Sequence, residues 1–282
     1  MTRSSLSSLP VRELLRGRCR FERGAPDMVQ GSHVAVLAHW SARPTTTRSV
    51  STLVHELQAY GYQVVVSSTC ESGEALVWGP EVDIDELVVI RRPNVGYDFG
   101  SWSMGLDLVP AAVAADHTIL LNDSMAGPFT TLRPLLEAFD ATVADVWGLT
   151  DTQQMGSHLQ SYFLGFRDGV LAERPLARFW AEVRHEAEKS HVIVRNEIGL
   201  SRLLQLEGFV HIPAFSHERV VAHGENPVIK GWRRLLELGF PFLKREILRD
   251  PDVAPAGRSA PGAVRRRFGV EVAEWVDEEL VA

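Results

Sequence analysis

Apolar positions fall into short solid runs separated by amphipathic stretches. "HVAVLAHW" (33–40), "YQVVVSST" (62–69), "ELVVIRR" (86–92), "HTILLND" (117–123) and "VADVWGLT" (143–150) are apolar runs bounded by polar residues. Runs of that length, rich in β-branched residues, predict buried strands. Between the first two, "TTRSVSTLVHELQAYG" puts Val50, Leu53, Val54 and Leu57 at helical spacing and stops at Gly61. "FGSWSMGLDLVPAAVA" (99–114) predicts a helix broken near Pro110, and "TLRPLLEAFD" (131–140) a helix with a threonine cap. Strands alternating with helices predict a largely parallel sheet covered on both faces. In such sheets ligands bind beyond the carboxyl ends of the strands.

The second half is more mixed. "LARFWAEVRHEAEKS" (176–190) predicts a helix with Phe179, Trp180 and Val183 inward, and "NEIGLSRLLQLEGF" (196–209) another that ends at Gly208. "FVHIPAFSH" (209–217) predicts a short strand and turn. "PVIKGWRRLLELGFPFLKREIL" (227–248) predicts helix with a Gly-Phe-Pro break. Residues 251–263 hold three prolines and two glycines and so predict a linker, followed by a short closing helix. Residues 1–33 are polar and arginine-rich, which predicts a loosely docked basic tail with a capacity for anionic membrane surfaces. The expected organisation is a tail (1–33), a main α/β domain (34–225) and a helical C-terminal extension (226–282).

Composition narrows the partners. Among 282 residues, 45% are hydrophobic and 23% charged, and the net charge is −7. These are ordinary globular values without the basic excess of a nucleic-acid binder. Two cysteines, Cys19 and Cys70, form no CxxC pair and predict a reducing compartment. No run approaches the roughly 18 apolar residues of a membrane span, and the first residues lack a signal-peptide core. The expectation is a cytoplasmic protein, with peripheral contact to the inner face of the plasma membrane through the basic tail.

Four segments carry candidate chemistry. "ILLNDSMAGPF" (119–129) ends an apolar strand on Asn122, Asp123 and Ser124. A carboxylate and neutral oxygens at a strand end can hold a divalent cation or face a diphosphate, and they can equally close an Asx turn. "RRPNVGYDFGSW" (91–102) offers Asn94, Gly96, Asp98 and Gly100 around a strand-to-helix turn. Glycines there allow close backbone approach, and Arg91 or Arg92 could meet a phosphate or form a charge pair. "DVWGLTDTQQMGSHLQSYFLGFRD" (145–168) brings His158, Gln160, Ser161 and Tyr162, groups that recognise hydroxyls. "VRNEIGLSRLLQLEGF" (194–209) places Glu197 in the first turn of its predicted helix, as a dipole-stabilised carboxylate or as a general base. His39 and Trp40, at the end of the first strand, are candidates for a nucleotide pocket.

Taken in order, "RRPNVGYDFGSW", "ILLNDSMAGPF", "DVWGLTDTQQMGSHLQSYFLGF", "VIVRNEIGLSRLLQLEGF" and "NPVIKGWRRLLELGFPFLKREIL" resemble the rhamnan synthesis protein F family of glycosyltransferases. The pattern is also distantly similar to family 2 glycosyltransferases. There an Asn-x-Gly, an acidic metal motif and an acidic residue opening a helix follow one another, as Asn94-Val95-Gly96, Asn122-Asp123-Ser124 and Glu197 do here. The resemblance implies a GT-A-like mostly parallel sheet flanked by helices. It implies transfer of a sugar, L-rhamnose from dTDP-L-rhamnose, to a polysaccharide or lipid-linked glycan with inversion. Asp123 would then be the metal or diphosphate residue for Mn²⁺ or Mg²⁺, Glu197 the base with Asp98 and Asp151 in reserve, and His217 a late metal ligand. Two departures stand out: the metal motif has one acidic residue where the family pattern has two, and Ile198 follows Glu197 in place of an acid. Two rivals therefore stay open, a nucleotidyltransferase on a similar sheet and a non-catalytic glycan-binding protein.

Overall fold

The structure is a computed structural model that describes residues 9–276. Eight strands form the main path of a nine-stranded sheet, in the order β1-β4-β3-β2-β5-β9-β7-β10. They are β1 (Arg20–Arg23), β2 (His33–His39), β3 (Gln63–Ser68), β4 (Leu87–Arg91), β5 (His117–Asn122), β7 (Val146–Thr152), β9 (Phe163–Arg167) and β10 (His211–Phe215). Short β8 (His158–Leu159) pairs with β7 beyond that path, and β6 (Met125–Ala126) pairs with β11 (Leu243–Lys244) as a separate ribbon. β2, β3, β4 and β5 run parallel, as do β7 and β10. Only β9, between β5 and β7, and the edge strand β1 run against their neighbours within the main sheet. The α/β class, the mostly parallel sheet and its helical cover agree with the sequence reading.

Two apolar layers sandwich the sheet. On one face lie α1 (Arg48–Tyr60), α3 (Arg133–Ala141) and the C-terminal extension, with Val54, Leu57, Phe139, Trp232 and Trp275 in one buried cluster. On the other lie α2 (Tyr97–Leu108), α4 (Arg174–Ala181) and α5 (Ile198–Glu207), around Trp102, Phe166 and Trp180. α1 stops where the sequence implies, at Gly61 in the left-handed conformation (φ 104°), and the structure caps its start with Thr47, whose Oγ1 accepts from the Val50 N–H.

The helix expected over 176–190 ends at Ala181, and four further segments differ from the sequence expectation. Within the expected basic tail, residues 9–33 are built into the domain. Val11 and Leu15 are fully buried in the helix-side core, and β1 extends the sheet beside β4. Its first eight residues lie outside the described residues. "SYFLGF" supplies β9, a strand that the polar residues before it conceal. Gly165 is required there, since a Cβ would lie 2.5 Å from the Phe139 ring. The helix carrying Glu197 starts earlier than expected: a turn at Lys189–Val192 and a π-helical turn at Ile193–Glu197 lead into α5. Finally, the Pro- and Gly-rich residues 251–263 are no open linker. They form tight turns at Pro251–Val253 and Gly257–Ser259 and begin α6 (Ala260–Phe268), with Ala260 fully buried.

Candidate active site

β5 ends where the sequence turns polar. The Asn122 side-chain oxygen accepts from the Ser124 N–H (3.1 Å), which is an Asx turn. The same side chain also reaches outward, and its Nδ2 donates to Asp98 Oδ2 (2.7 Å). Asp123 Oδ2 accepts from the Trp40 backbone N–H (2.8 Å), tying the end of β5 to the end of β2. The triplet thus closes a turn and presents its polar groups at the carboxyl edge.

Asp98 stands on the first turn of α2. Its approach is shaped by "RRPNVGYDFGSW". Buried Arg92 donates to the carbonyls of Pro93 (3.1 Å), Val95 (2.7 Å) and Tyr97 (2.9 Å) and to Ser101 Oγ, so the guanidinium fixes the loop from within. Arg91 is equally committed. It pairs with Glu22 (2.6 Å) and donates to the carbonyls of Glu74, Cys70 and Ser72. Neither arginine is placed to meet a phosphate, as the sequence had allowed. The glycines are steric: a Cβ on Gly96 would come within 2.7 Å of Val11, and one on Gly100 would collide with the Val95 carbonyl.

Asp98, Asn122, Ser124, His158, Gln160, Ser161, Tyr162 and Glu197, all singled out in the sequence, line one cleft of about 500 Å³. His158 Nδ1 faces the Gly156 carbonyl (2.9 Å), which leaves Nε2 toward Glu197 Oε2 at 3.6 Å. Thr150 Oγ1 bridges Gln160 Oε1 and the Tyr162 hydroxyl, both at 2.7 Å, so these two side chains form a braced wall. Burial pushes the Tyr162 phenol up and keeps it neutral. Burial also pushes Asp98 up to about 6; Asp123 adds to the rise, Lys244 and the Asn122 hydrogen bond oppose it, and Glu197 adds a little more.

The other candidates lie apart from these lining residues. His39 is buried with Nδ1 against Ser68 Oγ (3.0 Å), Asn94 is exposed on its loop, and Trp40 is half exposed. His217, on the turn after β10, donates its backbone N–H to Asp151 Oδ1 (2.7 Å), and its Nδ1 lies 2.8 Å from Asp151 Oδ2. Asp151, held in reserve as a base, is thereby committed as an acceptor.

One wall of the cleft is built from residues that the sequence did not single out. It comes from the C-terminal extension and includes Asn226, Lys230, Lys244 and Glu246. β11 pairs antiparallel with β6, immediately after the triplet, so Lys244 lies opposite Met125. Its Nζ contacts Ser124 Oγ at 2.9 Å and lies 5.9 Å from the centre of the Tyr162 ring. A two-residue strand after Gly-Phe-Pro leaves almost no periodic signal, so the sequence offers no route to this cation.

The rhamnan synthesis protein F family matches residues 72–266, which hold nearly all of the cleft. The chain belongs to the rhamnan synthesis protein F family. Among curated relatives, Virulence protein VirA of Vibrio anguillarum is 29% identical over 195 residues, covering 58% of this chain and 62% of the relative. Uncharacterized protein y4gN of Sinorhizobium fredii is 26% identical over 155 residues, covering 53% of this chain and 40% of the relative. The chain therefore spans only part of the length of these relatives. A solved structure from Desulfovibrio desulfuricans G20, provisionally described as a nucleotide-diphospho-sugar transferase, aligns over 84% of this chain and 99% of its own, with 10% identity and a TM-score of 0.37. In this member of the rhamnan synthesis protein F family, both cysteines are free. No helix among the described residues is long and apolar enough to cross a membrane.

Proposed function

We propose that the chain is an inverting hexosyltransferase that moves L-rhamnose from dTDP-L-rhamnose to a polysaccharide or lipid-linked glycan. Family membership supports the class of reaction. The observation that carries the reading is one cleft at the carboxyl edge of the sheet lined by carboxylates, Asp98 and Glu197 among them, by the cations Lys230 and Lys244, and by a wall of hydroxyl and amide groups. Glu197, steadied by His158, takes the proton of the acceptor hydroxyl as that oxygen bonds to C1 of the sugar. The bond from C1 to the phosphate oxygen breaks, and the nucleoside diphosphate leaves. Lys244 and Ser124 stabilise the departing charge. Asp98 binds a sugar hydroxyl and stands as the second candidate base. His158, Gln160, Ser161 and Tyr162 form the sugar-facing wall. His39, Trp40, Asn94 and Gly96 flank the nucleotide, with the exposed Trp40 ring as a stacking surface.

A cation accompanying the diphosphate would be a hard one. Mg²⁺ or Mn²⁺ bound with the diphosphate needs only one or two protein ligands in addition to phosphate oxygens. Asp123 would supply the carboxylate. His217, whose Nδ1 is held by Asp151, stands three strands from the end of β5 in the sheet order, so its Nε2 would face the diphosphate and not the ion at Asp123. Such an ion adds charge neutralisation to that of Lys244.

Thermal stabilisation tests the reading. The wild type and Asp123→Ala are heated with dTDP, dTDP-rhamnose and other nucleotide sugars, with and without Mn²⁺ or Mg²⁺. A ligand bound only by the native state raises the melting temperature. Stabilisation by the dTDP compounds, with its metal-dependent part lost in Asp123→Ala, is expected, followed by dTDP release when an acceptor is added. Release of pyrophosphate would point to a nucleotidyltransferase. Binding without turnover against any glycan acceptor would point to a glycan-binding protein.

A further inference from the structure

At the opposite end of the sheet, three side chains converge that the transferase reading does not use. His33 is the first residue of β2 and His117 the first of β5, and the two are register partners. Asp140 comes down from the end of α3. His33 Nε2 and His117 Nδ1 stand 2.8 Å apart, His117 Nδ1 and Asp140 Oδ1 3.4 Å, and His33 Nε2 and Asp140 Oδ1 3.9 Å. Among the described residues this is the one group of three potential metal ligands with atoms so close together. From the usual zinc–nitrogen distances, neighbouring ligands of a tetrahedral Zn²⁺ lie roughly 3.3 Å apart. The three distances bracket that value.

The surroundings orient these atoms as ligands. Asp140 Oδ1 is buried without a hydrogen-bond partner. Its other oxygen accepts from the Tyr60 hydroxyl (2.7 Å), which fixes the carboxylate with Oδ1 facing the imidazoles. Ser32 Oγ lies 3.0 Å from His33 Nδ1, so a proton there leaves the Nε2 lone pair facing inward. Outer partners of this kind set the tautomer and orientation of metal-binding histidines. We infer that His33, His117 and Asp140 form a binding site for one borderline divalent cation of the Zn²⁺ class, with water in the fourth position.

Two nitrogens and one carboxylate favour such a cation over Mg²⁺ or Ca²⁺, which take oxygen ligands. One contact must change when the metal enters. Arg167 Nε donates to His117 Nε2 at 3.3 Å, which places the proton of a neutral His117 on Nδ1, shared with His33. On loading, that proton moves to Nε2 and half-buried Arg167 turns away, with no net charge change on the imidazole. The bound ion would clamp the starts of two central strands to α3, far from the cleft. Its effect is therefore on stability.

The test strips the protein with a chelator and then titrates Zn²⁺, with Co²⁺ as a coloured stand-in. One Zn²⁺ per chain, a raised melting temperature and the visible absorption of tetrahedral Co²⁺ are expected. Asp140→Asn, which keeps the shape and an acceptor for Tyr60, should weaken Zn²⁺ by about tenfold or more, as outer-partner losses alone reach that size. Arg167→Met should tighten it by removing the opposing N–H. Asp123→Asn should leave the stoichiometry at one and separates this site from any cation in the cleft. The inference is overturned if the wild type takes up no stoichiometric Zn²⁺, if Asp140→Asn binds it as tightly, or if Asp123→Asn abolishes uptake. Retained melting transitions confirm that each variant is folded. None of these results depends on dTDP-rhamnose being the donor.

Discussion

Replacing Asp98 with asparagine should stabilise the protein at neutral pH while impairing the cleft. The folded carboxyl titrates at about 6, against an ordinary value of 3.8. Because the folded value is the higher one, ionisation opposes folding: below about 4 the group is protonated in both states and contributes nothing. As pH rises from about 4 to 6, the unfolded chain loses the proton first, and stability falls. Above 6 the full penalty is present. At 1.36 kcal/mol per tenfold, that interval corresponds to roughly 3 kcal/mol. Asparagine is isosteric and can still accept from Asn122 Nδ2, so it removes the penalty without opening the hydrogen bond. Urea denaturation at pH 7 should show Asp98→Asn about 2–3 kcal/mol more stable than wild type. In a chain of this size that is a rise of about 4–6 °C in melting temperature. The difference should vanish near pH 4. A variant that is less stable at pH 7, or a difference that does not change between pH 4 and 7, would refute the assignment of a desolvated, repelled carboxylate at this position.

Other outcomes follow from the same geometry. Glu197→Gln should lower turnover by about 10²–10⁴ with little change in the donor KM, as measured by dTDP release; a rise in KM alone would argue against its role as the base. Lys244→Met removes the cation that holds Asp98 down, so the titration of Asp98, followed by NMR of the carboxyl carbon, should move to higher pH, and an unchanged midpoint would contradict the coupling. Gly165→Ala should cost about 1–3 kcal/mol in urea denaturation because the Phe139 ring must shift, and a neutral result would mean that the α3 layer yields freely.

The strands with solid apolar cores were legible, because β2, β3, β4, β5 and β7 are buried on both faces and need no partner information to be recognised. The end of α1 was legible to the residue, because Gly61 acts on its own backbone. Eight of the cleft residues in the first 200 positions were legible for a related reason, while Thr152, Gln154, Met155 and Ile193 were not singled out. In a parallel sheet the carboxyl ends share one edge, so Asn122, Asp98 and Glu197 are gathered there once the alternation of strands and helices is known. Local signals failed where the element takes its identity from a distant neighbour. β9 is a strand because β5 and β7 leave a slot for it, and Glu197 sits mid-helix because the preceding turn closes as a π-helical turn.

The sequence by itself determined the alternation of elements, the edge where polar groups collect and the family. The tertiary structure decided which charges meet. Lys244 becomes the cation beside the triplet only through the pairing of β11 with β6, and Ser124, its contact, is 120 residues away. Arg91 and Arg92, the cations the sequence offered for a phosphate, are turned inward to satisfy backbone carbonyls instead. His33, His117 and Asp140 meet only because β2 and β5 start side by side beneath α3. The physical reason is common to all three cases: backbone propensity is local, whereas the electrostatic environment of a charge depends on groups that the chain brings together only on folding.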